Sequence, residues 1–154
     1  MRHLAANLCR TKLLFLLPIE SLVDKSCLSI ASNNYAEALE LLTKANEKSS
    51  SPCPVIINNM SVCLLYLGRL KEALNLLETN LTSNPEAFLQ ETQVLNLATL
   101  YELESSYAGQ KKQSLLDLLS RHAGDGVNTA CLKFWKYFCI IVEIVFCVFD
   151  KKPS

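Results

Sequence analysis

Seven cysteines and two histidines are the side chains of this chain best suited to holding a metal or attacking a carbonyl. Cys9, Cys27, Cys53, Cys63, Cys131, Cys139 and Cys147 never fall in a C-x-x-C, and only His3 and His122 could join them. Zinc-ligand spacing is therefore missing, and no metal is expected. The odd number and apolar settings suit buried, reduced thiols in the cytosol. His122 has Asp125 nearby, but no Ser or Cys stands where it would complete a nucleophilic set, so His122 reads as a surface histidine. Gly124-Asp125-Gly126 follows no strand pattern and precedes no lysine, which argues against a phosphate loop. Lys111-Lys112 reads as a solvated face near a helix start, or as a rim contact to a partner. No catalytic, cofactor-binding or metal-binding residue and no cofactor is expected; the chain reads as non-enzymatic.

Composition narrows the partners. Lys plus Arg number 15 and Asp plus Glu number 15, so no net field attracts nucleic acid, anionic lipid or an acidic substrate. Half of the 154 residues are hydrophobic, a high share for a chain of one small domain or a short repeat array. The excess apolar surface calls for a partner or a membrane. The triplets Asn59-Met60-Ser61 and Asn80-Leu81-Thr82 match the glycosylation pattern but fall on predicted helices, and are discounted.

The elements are helical. Glu20–Ser32 reads as a weak helix and Asn33-Asn34 as a turn, since Asn tolerates left-handed backbone. Tyr35, Ala38, Leu39, Leu42 and Ala45 then make one apolar stripe opposite Glu37, Glu40 and Lys44. Ser49–Pro54 breaks that helix. Val55–Leu67 carries no charge and is apolar on almost every side, which predicts a central helix packed all round. At thirteen residues it is too short for a span of about 20. Gly68 permits a tight reversal, Ala73 lets the next helix (Leu70–Leu81) approach closely, and Pro85 stops it. This is the roughly 34-residue tetratricopeptide spacing. Ala38 and Ala73 repeat it, and Asn96, Leu97, Ala98 and Tyr101 match Asn59, Met60, Ser61 and Leu64 in register. The third repeat is expected to begin at Glu86–Ser106, turn at Tyr107–Gln110, and end at Ala123–Gly126.

The expected fold is all-α: tetratricopeptide-type antiparallel helix hairpins stacked in a short solenoid. Residues 1–20 read as an unassigned leader or helix, lacking a signal-cleavage site. Residues 21–121 read as about three hairpins, the second at 54–87, and 122–133 as a turn and helix start. Residues 134–154 form a divergent hydrophobic tail. A tail anchor is disfavoured there by the short stretch and by Glu143, which leaves a capping helix or an end without an evolved partner.

Three strings carry a further pattern, and two of them, Tyr101–Ser106 and Asn128–Lys133, are not demanded by the generic repeat. They are Asn58–Lys71, Tyr101–Ser106 with Gln110–Gln113, and Asn128–Lys133. With Asn33–Ala38, they resemble the C-terminal tetratricopeptide region of the subunit 12 family of the trafficking protein particle (TRAPP) complex, over roughly Cys27–Lys133. The resemblance implies a non-enzymatic scaffold or adaptor that contacts other subunits of a TRAPP-type vesicle tether. It further implies endoplasmic reticulum-to-Golgi transport and a cytoplasmic, peripheral location at the intermediate compartment. The alternative is a free, co-chaperone-like tetratricopeptide module that binds peptides. Neither the leader nor Phe134–Ser154 carries the resemblance.

Overall fold

A computed structural model of the chain describes residues 17–104 and 108–122. Among these residues there are helices and no strands: α1 (Ile19–Ala31), α2 (Tyr35–Lys48), α3 (Pro54–Tyr66), α4 (Leu70–Ser83), α5 (Pro85–Phe88), α6 (Glu91–Glu104) and α7 (Ala108–His122). Sequential helices pack against each other, and α6 also packs on α3 and α4 of the preceding hairpin. That is the expected all-α stack of antiparallel hairpins, α1–α2, α3–α4 and α6–α7.

The first two reversals are the same device built from different residues. Asn33 has φ +59° and Gly68 has φ +75°. The amide of Asn34 donates to the Ser29 carbonyl at 2.8 Å, and the amide of Arg69 donates to the Leu64 carbonyl at 2.8 Å. Both bonds reach back five residues, so each helix ends by satisfying carbonyls its last turn would otherwise orphan. Each reversal is followed by a fully buried alanine, Ala38 or Ala73, where a larger side chain would hold the helices apart.

Two apolar clusters share α3. Ile57 and Leu64 face one cluster with α4, α6 and α7, while Ile56 and Cys63 face the other with α1 and α2. Burial is not complete, however. Val55, Tyr66 and Leu67 remain well exposed at the helix ends, with the Tyr66 ring stacked on that of Tyr35 at 4.3 Å between centroids. Polar side chains also enter this interior. Asn96 donates its amide to Asn58 Oδ1 at 2.8 Å, joining α6 to α3. Ser61 and Ala98, the small residues expected at close approaches, are both buried.

Three local expectations change. Lys44 is not on the outer face: only 8% of it is exposed, its stem is packed, and its ammonium reaches Glu40 at 2.5 Å. Pro85 ends α4 but also starts the one-turn α5, whose Asn84 cap accepts from the Ala87 amide at 3.4 Å. This turn drops Phe88 and Leu89 into the core, so the third hairpin's first helix begins at Glu91 rather than near Glu86. Ala108–Gln110, expected in a turn, form the first turn of α7. The expected stop at Ala123–Gly126, the segments 1–16 and 123–154, and Ser105–Tyr107 lie outside the described residues.

The third hairpin is tied by charge as well as by packing. Lys111 pairs with Glu104 at 2.6 Å, approaches Glu78 at 3.8 Å, and lies 5.0 Å from the centroid of the Tyr101 ring. Lys112 pairs with Glu102. One lysine thus links α7 to α6 and α4, so it is no merely solvated face. Burial first, then the negative charge of Glu78 and its hydrogen bond to the hydroxyl, push Tyr101 well above the ordinary tyrosine range.

Gly68→Val is expected to cost about 1–2 kcal/mol, because an added Cβ meets open space and only the left-handed backbone penalises it. Gly68→Asn should melt close to the parent, as Asn33 already serves this turn. Equal melting of the Val and Asn variants would mean that backbone handedness does not govern the reversal. A raised Tyr101 pKa contributes stability below about pH 10, where unfolded tyrosine is still protonated, and that contribution is lost as pH climbs toward the folded value. Tyr101→Phe should therefore flatten the alkaline decline in urea-melt stability relative to the parent. An identical decline would show that Tyr101 ionises normally.

Candidate docking surfaces

Among the described residues, His122 lies on α7, whereas Cys27, Cys53 and Cys63 lie on or beside α1 and α3. His122 is exposed in the last turn of α7, and Asp125 lies outside the described residues. Cys53 and Cys63 are free thiols, and Cys27 lies near Cys63. Burial, and then neighbouring Cys27, push the Cys63 thiol up to about 12 against a weaker opposing backbone hydrogen bond, so it stays protonated and unreactive near neutrality. Among the described residues no group of three or more His, Cys, Asp or Glu is placed to hold a metal, and no helix is long and apolar enough to cross a membrane. The remaining cysteines, His3 and the tail Phe134–Phe149 lie outside the described residues. Asn59 is buried, and Asn80 is partly buried with its amide donating to the Leu76 carbonyl at 2.8 Å, so neither triplet presents a free asparagine loop.

What the fold does present is surface, in two kinds. The first is a row of first helices, α1, α3 and α6. Cys27 lies close enough to Cys63 to disturb it, and Asn58 bonds Asn96, so the three lie side by side. Every large apolar side chain found exposed among the described residues belongs to this row or directly follows it: Leu28, Val55, Tyr66, Leu67 and Leu103. Leu28 is 69% exposed and Leu103 is 55% exposed. Tyr66 and Leu103 are 37 residues apart, in the register that pairs Asn59 with Asn96, so the repeat itself places them equivalently. The row carries a single basic residue, Lys25, and its acids include Glu20, Glu91, Glu102 and Glu104.

The second kind is a pair of grooves between successive second helices. One lies between α2 and α4, encloses about 530 Å³, and has Leu39, Met60, Leu64 and Leu76 as its apolar lining. The other lies between α4 and α7, encloses about 270 Å³, and is floored by Leu97 and Tyr101. Met60 and Leu97, and likewise Leu64 and Tyr101, are 37 residues apart, so the two floors are repeat equivalents. The spacing that reveals this is visible in the chain. The difference in depth is not, because it depends on which rim residues reach across. Arg69 and Glu72, ion-paired at 2.6 Å, are among the residues lining the larger groove. That pair raises the guanidinium pKa and lowers the carboxyl pKa, each chiefly through the shared hydrogen bond, but both groups are exposed and the pair adds little stability.

Comparison with known proteins places these surfaces on a known type of chain. The chain is 44% identical over 112 residues to trafficking protein particle complex subunit 12 of Mus musculus, covering 73% of this chain and 14% of that one. It is 43% identical over 112 residues to the Homo sapiens protein, covering 73% of this chain and 15% of its relative. It also shares 32% identity over 104 residues with heat shock protein STI1 of Saccharomyces cerevisiae, covering 65% of this chain and 17% of that protein. No protein-family model and no solved structure matches the chain. The chain therefore spans about a seventh of the subunit 12 relatives it matches. With its stack of hairpins, the chain is all-α and tetratricopeptide-like, and its matched part is similar to a region of trafficking protein particle complex subunit 12.

Proposed function

We propose that the chain is a non-enzymatic scaffold or adaptor of a TRAPP-type vesicle tether, working through protein contacts of its helical repeats. The observation that carries this reading is the identity to subunit 12 over 112 residues. The exposed apolar side chains of the first-helix row support it, since solvated leucines such as Leu28 and Leu103 gain free energy only when another surface covers them. On this reading residues 21–121 form the repeat unit, with the second hairpin at 54–87, and residues 134–154 remain a divergent tail. The partners are other subunits of the tether, with no nucleic acid and no membrane span. The location is cytoplasmic and peripheral at the endoplasmic reticulum–Golgi intermediate compartment, and the process is transport between those organelles. No residue is assigned a catalytic, cofactor or metal role.

The likeness to heat shock protein STI1 keeps a second reading in view, a free tetratricopeptide module that binds peptides. Capturing a peptide's terminal carboxylate requires cations on the first helices. Neither α3 nor α6 has any, and the acids of α6 would repel such a peptide.

Co-purification of the full chain from cytosol is expected to recover TRAPP subunits. Leu28→Glu combined with Leu103→Glu should reduce that recovery while leaving the melting midpoint nearly unchanged, because both side chains are already in water. Failure of the parent chain to recover any subunit would sink the adaptor reading. Micromolar binding of an acidic peptide with a free carboxyl end would favour the peptide-binding module instead.

A further inference from the structure

The two second-helix grooves are the same construction one repeat apart, and they differ in volume. In the α4–α7 groove the floor residue is Tyr101, a phenol lying on apolar neighbours with its hydroxyl bonded to Glu78 and the Lys111 ammonium near its ring. In the α2–α4 groove the equivalent floor residue is Leu64, which leaves about 530 Å³ rather than about 270 Å³. The position of Glu78 is taken there by Thr43, at the same 35-residue offset that separates Ala38 from Ala73. The third repeat thus carries on its own floor an aromatic ring that the second repeat lacks.

From this repeat equivalence we infer that the α2–α4 groove is a docking site for one aromatic side chain on an uncharged segment of a partner protein. The apolar lining of Leu39, Met60, Leu64 and Leu76 suits a ring. Charge complementarity fixes the rest of the occupant. The rim is neutral, made of Thr43, Asn75, Thr79 and Asn80, and its one ion pair, Arg69 with Glu72, is already satisfied internally. A charged side chain entering the groove would lose water and find no free opposite charge. This site is separate from the first-helix row and does not depend on the tether reading.

The chain carries its own reporter, because its two methionines are Met1 and Met60 and Met60 lines the groove. With the full chain labelled at its methionine methyl carbons, N-acetyltyrosinamide is expected to shift the Met60 signal saturably and leave Met1 unmoved. N-acetylleucinamide should need about threefold more probe for half-saturation, and N-acetyllysinamide should give no saturable shift. Leu64→Tyr, which installs the side chain of the third repeat, should abolish the response. Thr79→Trp should do the same from an exposed rim position that the fold does not depend on. The inference is overturned if Met60 does not respond saturably, if the leucine probe matches the tyrosine probe, or if the response survives Thr79→Trp. It is equally overturned if the Met60 signal moves with protein concentration alone, since a second copy would then be the occupant.

Discussion

The fold depends on one helix being claimed from both sides. α3 has no charged residue, and none occurs between Lys48 and Arg69, so no part of its circumference strongly prefers water. Its side chains divide, with Ile56 and Cys63 turned to the first hairpin and Ile57 and Leu64 to the later ones. Neither cluster closes without it. A hairpin buries only one face by itself, and stacking buries the other, so stability here is a property of neighbours rather than of single units. The polar bond between Asn58 and Asn96 adds register to that packing. An amide pair satisfied at 2.8 Å in a buried setting penalises any sliding of α6 along α3 that would break it.

Charge has a different role in the third hairpin. Exposed ion pairs contribute little each, so Lys111 with Glu104 and Lys112 with Glu102 do not hold α7 in place by strength. Their value is geometric, because the two lysines on α7 meet two glutamates two residues apart on α6. The buried Ala108, Leu115 and Leu119 supply the burial, and the charges select which way α7 lies across it. The string Tyr101–Ser106, with Gln110–Gln113 beside it, stood out in the chain because the generic repeat does not demand it. Tyr101, Glu102, Glu104, Lys111 and Lys112 show why they occur together: they are two sides of one contact.

Most of the architecture was legible from spacing. Gly68, Ala73 and Pro85 mark a hairpin by what their backbones and side chains permit, and the apolar periods of α2 and α4 give their inward faces. The misses share a cause, which is tertiary packing acting on locally ambiguous residues. Lys44 looks outward by helical phase, but its long stem can lie along the core while its ammonium returns to Glu40. Pro85 ends one helix by rule, yet the same restricted φ makes it a good first residue of the next, and Phe88 decides the matter by filling a space no local rule records. Ser105 through Gln110 offers no glycine until Gly109, so the start of α7 at Ala108 had no local marker. The surfaces were least legible of all, since exposure of Leu28 or depth of a groove depends on residues a repeat or more away.

That division between legible core and illegible surface has a physical source in the repeat. Inward positions recur at fixed offsets because every hairpin must meet the same neighbour geometry, so Ala38 and Ala73, or Asn33 and Gly68, answer one constraint twice. Other positions differ between repeats, as the buried Leu64 and Tyr101 do at equivalent places on two groove floors. The groove floored by Tyr101 is the smaller of the two, and the one with Leu64 at the equivalent position is the larger. Stacking similar hairpins therefore yields surfaces that differ, and among the described residues the exposed large apolar side chains fall on or beside the first helices while the larger of the two grooves lies between the second helices α2 and α4.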